Sequence, residues 1–516
     1  MHTERGTLVL GVDLGTTATK AALYDLRGRS LSEGRAEVPL YHLKSGAVEQ
    51  ELEDFYQSAA AAIRECIGSC NVDPAQVAGI AFDSQMAGIG GIDESGEPAM
   101  RFDSWLDARC QPYIEEIDRD FGDRVTQLTG CPVTCNHAPK MLWWAEERPA
   151  EYKRIAKFVM PNSYVAGRAA NLHAEDAFID PTFLHFTGVS DAASGTWSEE
   201  LCRALKVDAG RLPRITEPWT VIGELSPKSA RDFGLKAGTP VAAGCGDTAA
   251  GALGAGMVHP GMLLDTAGTA SVLACCTDRF VADTRHKALM VMRSVVPGIW
   301  NPLAYVGGGG LAPGWFGREF SNCPPEGVAS DEVYAELFAQ AADVPAGCDG
   351  LQFSPHLGGR VCPAVPEMRG AWIGFSWTHT RKHFFRAILE SIGYEYAWYL
   401  QILRELAPEL KLVEARVIGG GARSEIWNQI KADILSVPYV QLPRTECATW
   451  GSALIAAKAS GLISNLAEAA TELAPRAQTT LSPNLALRAT YDASLEQYLD
   501  WQSKLKTGFE DHGKDS

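Results

Sequence analysis

"VLGVDLGTTATKAALYD" (Val9–Asp25) decides how the rest of the chain is read. An apolar strand runs into an Asp, a Gly and two threonines, and a second apolar strand follows. Two readings are open. The stretch is either a tight β-hairpin, with Thr16 and Thr17 as strand formers and Asp13 bonding the turn, or a turn whose backbone N–H groups and hydroxyls hold a phosphate. A second stretch repeats the pattern half a chain later: "LLDTAGTASVLACC" (Leu263–Cys276) is again strand, Asp, Gly-Thr turn, strand. If the echo is not chance, it predicts two similar domains, each presenting a Gly-Thr turn to a shared cleft.

The 516 residues exceed what one ordinary core accommodates, so at least two domains are expected. With 46% hydrophobic and 21% charged residues the composition is that of a soluble globular protein. A formal charge of −17 argues against general affinity for nucleic acid or anionic lipid, which requires clustered Lys and Arg. An anionic ligand would need a local device. The opening "MHTERGTLVL" lacks the apolar stretch of a signal peptide, and no run approaches the roughly 18 apolar residues of a membrane span. A cytoplasmic protein is expected. The 13 scattered cysteines do not suggest a disulfide framework. The C-x3-C pairs Cys66/Cys70 and Cys131/Cys135 lack a neighbouring Cys/His pair, so no structural metal is proposed.

Along the chain, Leu52, Phe55, Ala59, Ile63 and Cys66 fall at helical spacing, and "VAGIAF" then reads as a strand. Phe385, Ile388, Leu389, Ile392, Tyr396 and Leu403 form a long amphipathic helix. "EARVIGGGARSEIWNQIKADILSVPYVQL" follows as strand, Gly turn, helix and strand. Alternating strands and helices predict an α/β fold. "GCGDTAAGALGAG" (Gly244–Gly256) gives the chain room to turn at Gly244 and Gly246, sets Asp247 at an expected N-cap and continues as a small-residue helix suited to close packing. Asp247 is then either a structural cap or a base kept ionised by the helix N-terminus and aimed at a substrate hydroxyl.

In combination these stretches resemble the FGGY carbohydrate kinases, and within them the xylulose kinases. "GVDLGTTATKAALYD" is similar to that family's first phosphate turn, "GCGDTAAGALGAG" to its catalytic segment, "DTAGTASVLA" to its second phosphate turn, and "VIGGGARSEIWNQIKADILSVPYVQL" with "ECATWGSALIAA" to its adenine-binding signature. The resemblance implies two ribonuclease H-like domains of the actin and hexokinase type around a central cleft. Residues 1–257 would bind sugar and carry the first turn and Asp247, and residues 258–516 would carry the second turn and the adenosine site. It implies ATP and Mg²⁺, a small sugar or polyol as acceptor, and leaves a homodimer open.

Residue by residue, Asp247 would take the proton of the attacking sugar hydroxyl, and Asp13 would help hold Mg²⁺ through water. Gly15, Thr16, Thr17, Lys20, Gly268 and Thr269 would bind phosphates. Gly310, Gly420, Gly421 and Ala422 would line the nucleoside. "AFDSQMAGIGGIDESG" and "SWLDAR" match the family's sugar side, so Gln85, Met86, Trp105, Asp107 and Arg109 would contact or support the substrate. Two positions depart from the xylulose kinases, which typically have His and Asn where this chain has Ala87 and Thr248. A changed polar contact beside a buried hydroxyl shifts specificity, so a preference other than D-xylulose is expected, with another ketose such as ribulose, or a polyol such as erythritol or glycerol, as alternatives. In "CNHAPKMLWW", Lys140 and Trp143 fit the family while Cys135 and His137 do not, and His137 is expected at a helix start. In "FSPHLGGR", the following Val361 replaces an expected Thr. An actin-like or chaperone ATPase with no small acceptor is the competing class. The interval from about 150 to 215, with "FIDPTFLHFTGVSDAASGTWSEEL", receives no chemical role.

Overall fold

The computed structural model describes residues 7–43, 46–134, 136–268, 270–321, 331–443, 446–474 and 477–513. One sheet has seven strands, ordered Val221–Glu224, Pro240–Ala242, Val77–Ser84, Leu8–Leu14, Ala18–Asp25 and Ser30–Glu37, with Cys245–Gly246 joining the end of Val77–Ser84. A second seven-stranded sheet is ordered Met290–Arg293, Trp300–Val306, Ser271–Cys275, Met262–Ala267, Glu414–Ile418, Tyr439–Gln441 and Thr479–Leu481. Starting from Ser30–Glu37 in the first and Trp300–Val306 in the second, successive pairings are antiparallel, antiparallel, parallel, parallel, antiparallel in both. The echo between Val9–Asp25 and Leu263–Cys276 is therefore a repeat of topology. In each copy the strand that begins the sheet runs out into the glycine of its turn, Gly15 after Leu8–Leu14 and Gly268 after Met262–Ala267.

The opening strand is apolar up to Asp13 because both its faces are covered. Leu8, Leu10, Val12 and Leu14 pack with Leu52, Phe55, Ala59 and Ile63 of the helix Leu52–Gly68. On the other face, Val9 shares a core with Trp450 and Ala453 of the helix Ala448–Ala459. That helix lies late in the chain yet packs on the first sheet. Its backbone comes so close that a Cβ on Gly11 would sit 1.8 Å from the Thr449 carbonyl oxygen, and one on Gly451 would sit 1.9 Å from that of Ala250. Ala250 belongs to the helix Asp247–Gly254, so the small residues of "GCGDTAAGALGAG" serve helix-on-helix contact. The helix Arg381–Leu406 buries Phe385, Ile388, Leu389, Ile392, Tyr396 and Leu403 in the core of the second sheet, as their spacing predicts.

Candidate active site

Asp13 lies near the end of its strand, paired in parallel register with Asp83 of Val77–Ser84 and in antiparallel register with Lys20. Asp83 in turn pairs with Cys245, and Ser84 with Gly246, so the adjoining strand ends lead directly to Asp247. Three carboxylates thus gather at the C-terminal ends of the central strands of the first sheet. Asp83 is fully enclosed, and its Oδ2 accepts from Ser452 Oγ at 2.6 Å. Burial, and then the neighbouring Asp13 charge, pushes the Asp83 carboxyl well above the usual carboxylate range. Asp13 is raised by its desolvated surroundings and pulled back by Lys20. Asp83 carried no signal in the sequence, because its role comes only from cross-strand register.

Asp247 opens the helix Asp247–Gly254, and the N-cap is Gly246, one residue earlier than the sequence reading places it. Gly246 takes the extended backbone of a cap, and its lack of a Cβ leaves room for Met86, whose Cε would otherwise be 2.5 Å away. Asp247 Oδ1 accepts from the Thr248 N–H at 2.5 Å and the Thr248 hydroxyl at 3.1 Å. Desolvation, reinforced by the Asp13 charge and opposed by the Thr248 bonds, pushes the Asp247 carboxyl up to about 7. That is the range in which a carboxylate both accepts and releases a proton at neutral pH.

The first turn touches the Gln85 and Trp105 segments through Thr16. Its Oγ1 donates to Gln85 Oε1 at 3.4 Å and accepts from Trp105 Nε1 at 3.1 Å. Gln85 Nε2 donates to Gln50 Oε1, and Gln50 Nε2 to the Thr16 carbonyl, each at 2.9 Å, which closes a ring of bonds around the turn. Gly15 N–H donates to the Ala18 carbonyl at 3.2 Å, and Thr17 is exposed. Met86 is buried against Gly246, and its carbonyl accepts from His137 Nε2 at 2.9 Å. His137 starts the helix His137–Glu147, as expected, and burial holds its imidazole down at about 4. It is neutral.

Asp107 and Arg109 are engaged with the protein itself. Asp107 Oδ2 accepts from Val48 N at 2.7 Å and Arg109 Nε at 2.8 Å. The Arg109 guanidinium also donates to Glu49 at 2.7 Å and lies 4.1 Å from the Trp143 ring centroid. Fully buried Lys140 donates to Asp103 Oδ1 at 2.7 Å and to the carbonyls of Ser104 and Asp107 at 3.0 Å. This network fixes the segment that presents Trp105, an exposed side chain.

A cavity of about 840 Å³ is lined by Ala267, Gly268, Gly310, Pro313, Tyr334, Phe338, Gly420, Gly421 and Trp427, among others. This volume falls in the usual range of small-molecule sites. Gly268 and Ala267 bring the second turn to one wall, and the 3₁₀ turn Gly420–Arg423 forms another. Ala422 does not line it. Its side chain is buried and its carbonyl accepts from Asn428 Nδ2 at 2.8 Å, so it holds the turn in place. Thr269 and Cys135 lie outside the described residues. Lys20 forms an ion pair with Glu446 and lines a separate cavity of about 590 Å³ with Glu33 and Arg35.

Among the described residues no helix is long and apolar enough to cross a membrane. The chain matches the N-terminal domain of the FGGY family of carbohydrate kinases over residues 8–254 and its C-terminal domain over residues 285–460. It is 31% identical to the xylulose kinase of Bacillus subtilis (strain 168) over 468 residues, 90% of each chain. The structure superposes on ligand-bound xylulose kinase from Lactobacillus acidophilus with a TM-score of 0.89 at 23% identity, covering 99% of this chain and 100% of that one. Against Plasmodium falciparum glycerol kinase with ADP the TM-score is 0.84 at 18% identity, covering 96% and 97%. With two ribonuclease H-like sheets, a carboxylate at the head of the small-residue helix and both domain signatures in order, this chain belongs to the FGGY family of carbohydrate kinases and is a sugar kinase.

Proposed function

We propose that the protein transfers the γ-phosphate of ATP to a hydroxyl of a ketopentose such as xylulose or a closely related ketose or polyol, with Asp247 as the base. The observation that carries this reading is the meeting of three features at these strand ends: Asp247 beside Asp13, Met86 against Gly246, and Thr16 bonded to Gln85 and Trp105. A nucleotide's phosphates and an acceptor alcohol brought there would lie within reach of one carboxylate.

In the proposed step the acceptor oxygen bonds to the γ-phosphorus, the bond from that phosphorus to the β–γ bridging oxygen breaks, and the hydroxyl proton passes to Asp247. Phosphoryl transfer asks mainly for alignment and charge neutralisation. Gly15, Thr16, Thr17, Gly268 and Thr269 are assigned to the phosphates, with Lys20 as a further cation once it leaves Glu446. Gly310, Gly420 and Gly421 are assigned to the nucleoside, above the turn that Ala422 anchors. Gln85, Met86 and Trp105 are assigned to the sugar, with Asp107 and Arg109 supporting them.

The carboxylate oxygens of Asp13, at the mouth of the first turn, are hard donors of the kind Mg²⁺ prefers. Among the described residues no three acidic, His or Cys side chains converge enough to grip an ion directly. Asp13 would therefore hold Mg²⁺ through its waters, and the ion would neutralise charge on the phosphates.

The test is a panel of ketoses and polyols assayed by acceptor-dependent ADP release. Substrates are expected among ketopentoses and their relatives, with the best differing from D-xylulose because Ala87 lacks a polar side chain and the Thr248 hydroxyl is bonded to Asp247. No ADP release with any acceptor would overturn the proposal. A wide preference for D-xylulose would overturn the weight placed on Ala87 and Thr248.

A further inference from the structure

The interval that the sequence left without a role reaches the catalytic segment. Asp180 and Thr182 are fully buried at the start of the 3₁₀ turn Pro181–Phe186. Asp180 Oδ1 accepts from the Thr182 N–H at 2.9 Å and from the Thr182 hydroxyl at 2.6 Å. With its proton committed to Asp180, the Thr182 oxygen is left as an acceptor, and it takes the Gly246 N–H at 2.9 Å. Gly246 is the cap immediately before Asp247 and, being glycine, makes no side-chain cap bond of its own. Met86 closes the opposite side of Gly246. The same 3₁₀ turn adjoins the second sheet: Leu184 packs with Val291 of the edge strand Met290–Arg293 and with Trp300.

From this geometry we infer that Asp180 and Thr182 are positioning residues that set the aim of Asp247 through the Gly246 N–H. The inference rests on Asp247 being the base. A hydroxyl whose proton is fixed in a buried carboxylate bond has its acceptor lone pair oriented, so it holds one backbone donor in one direction. Releasing that donor lets the cap rotate, and the carboxylate that follows it moves with the cap. Small displacements of a reacting group lower the rate of the chemical step much more than they weaken binding.

The experiment compares Thr182→Val, Thr182→Ser, Asp180→Asn and Asp247→Ala by steady-state kinetics, using the best acceptor of the sugar panel, with thermal unfolding as a check on folding. Thr182→Val is expected to lower kcat about tenfold while KM for ATP and for acceptor stay within about twofold, and Thr182→Ser to keep most of the rate. Asp180→Asn is expected to fall between them. In the Asp247→Ala background, Thr182→Val is expected to change the residual rate by less than about twofold, because the group it positions is gone. A kcat in Thr182→Val within twofold of wild type, alongside an impaired Asp247→Ala, overturns the positioning role alone. A near-normal Asp247→Ala overturns the reading of the base itself. If Thr182→Val fails to fold, a Thr182→Ser variant that folds but loses rate as badly as Asp247→Ala overturns the inference, and one that keeps its rate supports it.

Discussion

Asp13 and Asp83 face each other across neighbouring parallel strands, with Ser452 from the helix Ala448–Ala459 bonded to the Asp83 carboxyl. Two acids at the C-terminal ends of adjoining strands in a buried sheet repel when both are ionised, and burial weights the balance further toward the neutral form of Asp83. Asp83→Asn removes this repulsion and keeps an acceptor for Ser452. It is expected to cost no more than about 1 kcal/mol of stability, whereas Asp83→Ala, which strands the Ser452 hydroxyl, is expected to cost about 1–3 kcal/mol. Urea unfolding of the two variants measures the difference.

The two glycines of the Asp247 helix separate packing from propensity. A Cβ on Gly254 would lie 2.0 Å from the Cys447 carbonyl oxygen, while one on Gly251 meets nothing within 4 Å. Gly254→Ala must push the helices apart and is expected to destabilise by about 3 kcal/mol or more. Gly251→Ala is expected to be neutral or to stabilise by up to about 1 kcal/mol, since alanine is the better helix former. Chemical denaturation of the pair decides this, and equal effects would refute the packing described.

Two buried histidines work against folding as the pH falls. Burial holds His137 at about 4 and His185 at about 3, both below the ordinary 6.5. Between those limits the unfolded chain binds protons that the folded imidazoles refuse, so their contribution to stability is complete above about pH 6.5 and is lost as pH drops toward 4, while Asp180 and Asp247, held up at about 7, contribute with the opposite sign. Each histidine contributes a slope of up to about 1.4 kcal/mol per pH unit. His185→Phe is expected to lower the slope of unfolding free energy against pH by up to that amount between pH 6 and 4, and an unchanged slope would contradict the assignment.

Much of this was legible in the sequence because it depended on local pattern. The apolar strands around Asp13 and Asp265, the helix over Phe385–Leu403 and the turn at Gly420 follow from spacing and glycine placement. The cap was displaced by one residue because Gly246 and Asp247 are both good at a helix start, and only the backbone angles choose between them. Asp83, Asp180 and Thr182 were invisible for a different reason. Asp83 meets Asp13 and Ser452, and Asp180 acts through its neighbour Thr182 on Gly246; the bonds to Ser452 and Gly246 span 369 and 64 residues, and no local pattern encodes that. Asp107 and Arg109 were expected beside the substrate from the motif they stand in, while their engagement with Val48, Glu49 and Trp143 needed the tertiary structure.

The pH dependence of turnover links Asp247 to its surroundings. With its carboxyl raised to about 7, Asp247 gains protonated population as pH falls, the form in which the proposed base would be inactive. kcat/KM for the acceptor is expected to be level above pH 8 and to drop about tenfold per pH unit below 6. Thr248→Val removes a hydroxyl bond that favours the ionised form and is expected to shift this limb to higher pH. A shift to lower pH would contradict the role given to Thr248.

The most direct measurement is the turnover of Asp247→Ala with saturating ATP and acceptor. A positioned base contributes about 10²- to 10⁴-fold, so kcat is expected to fall by that factor while ATP affinity changes little and the acidic limb of the pH profile disappears. Turnover within a few-fold of wild type, with the limb intact, would contradict the assignment of Asp247 as the group that takes the acceptor's proton.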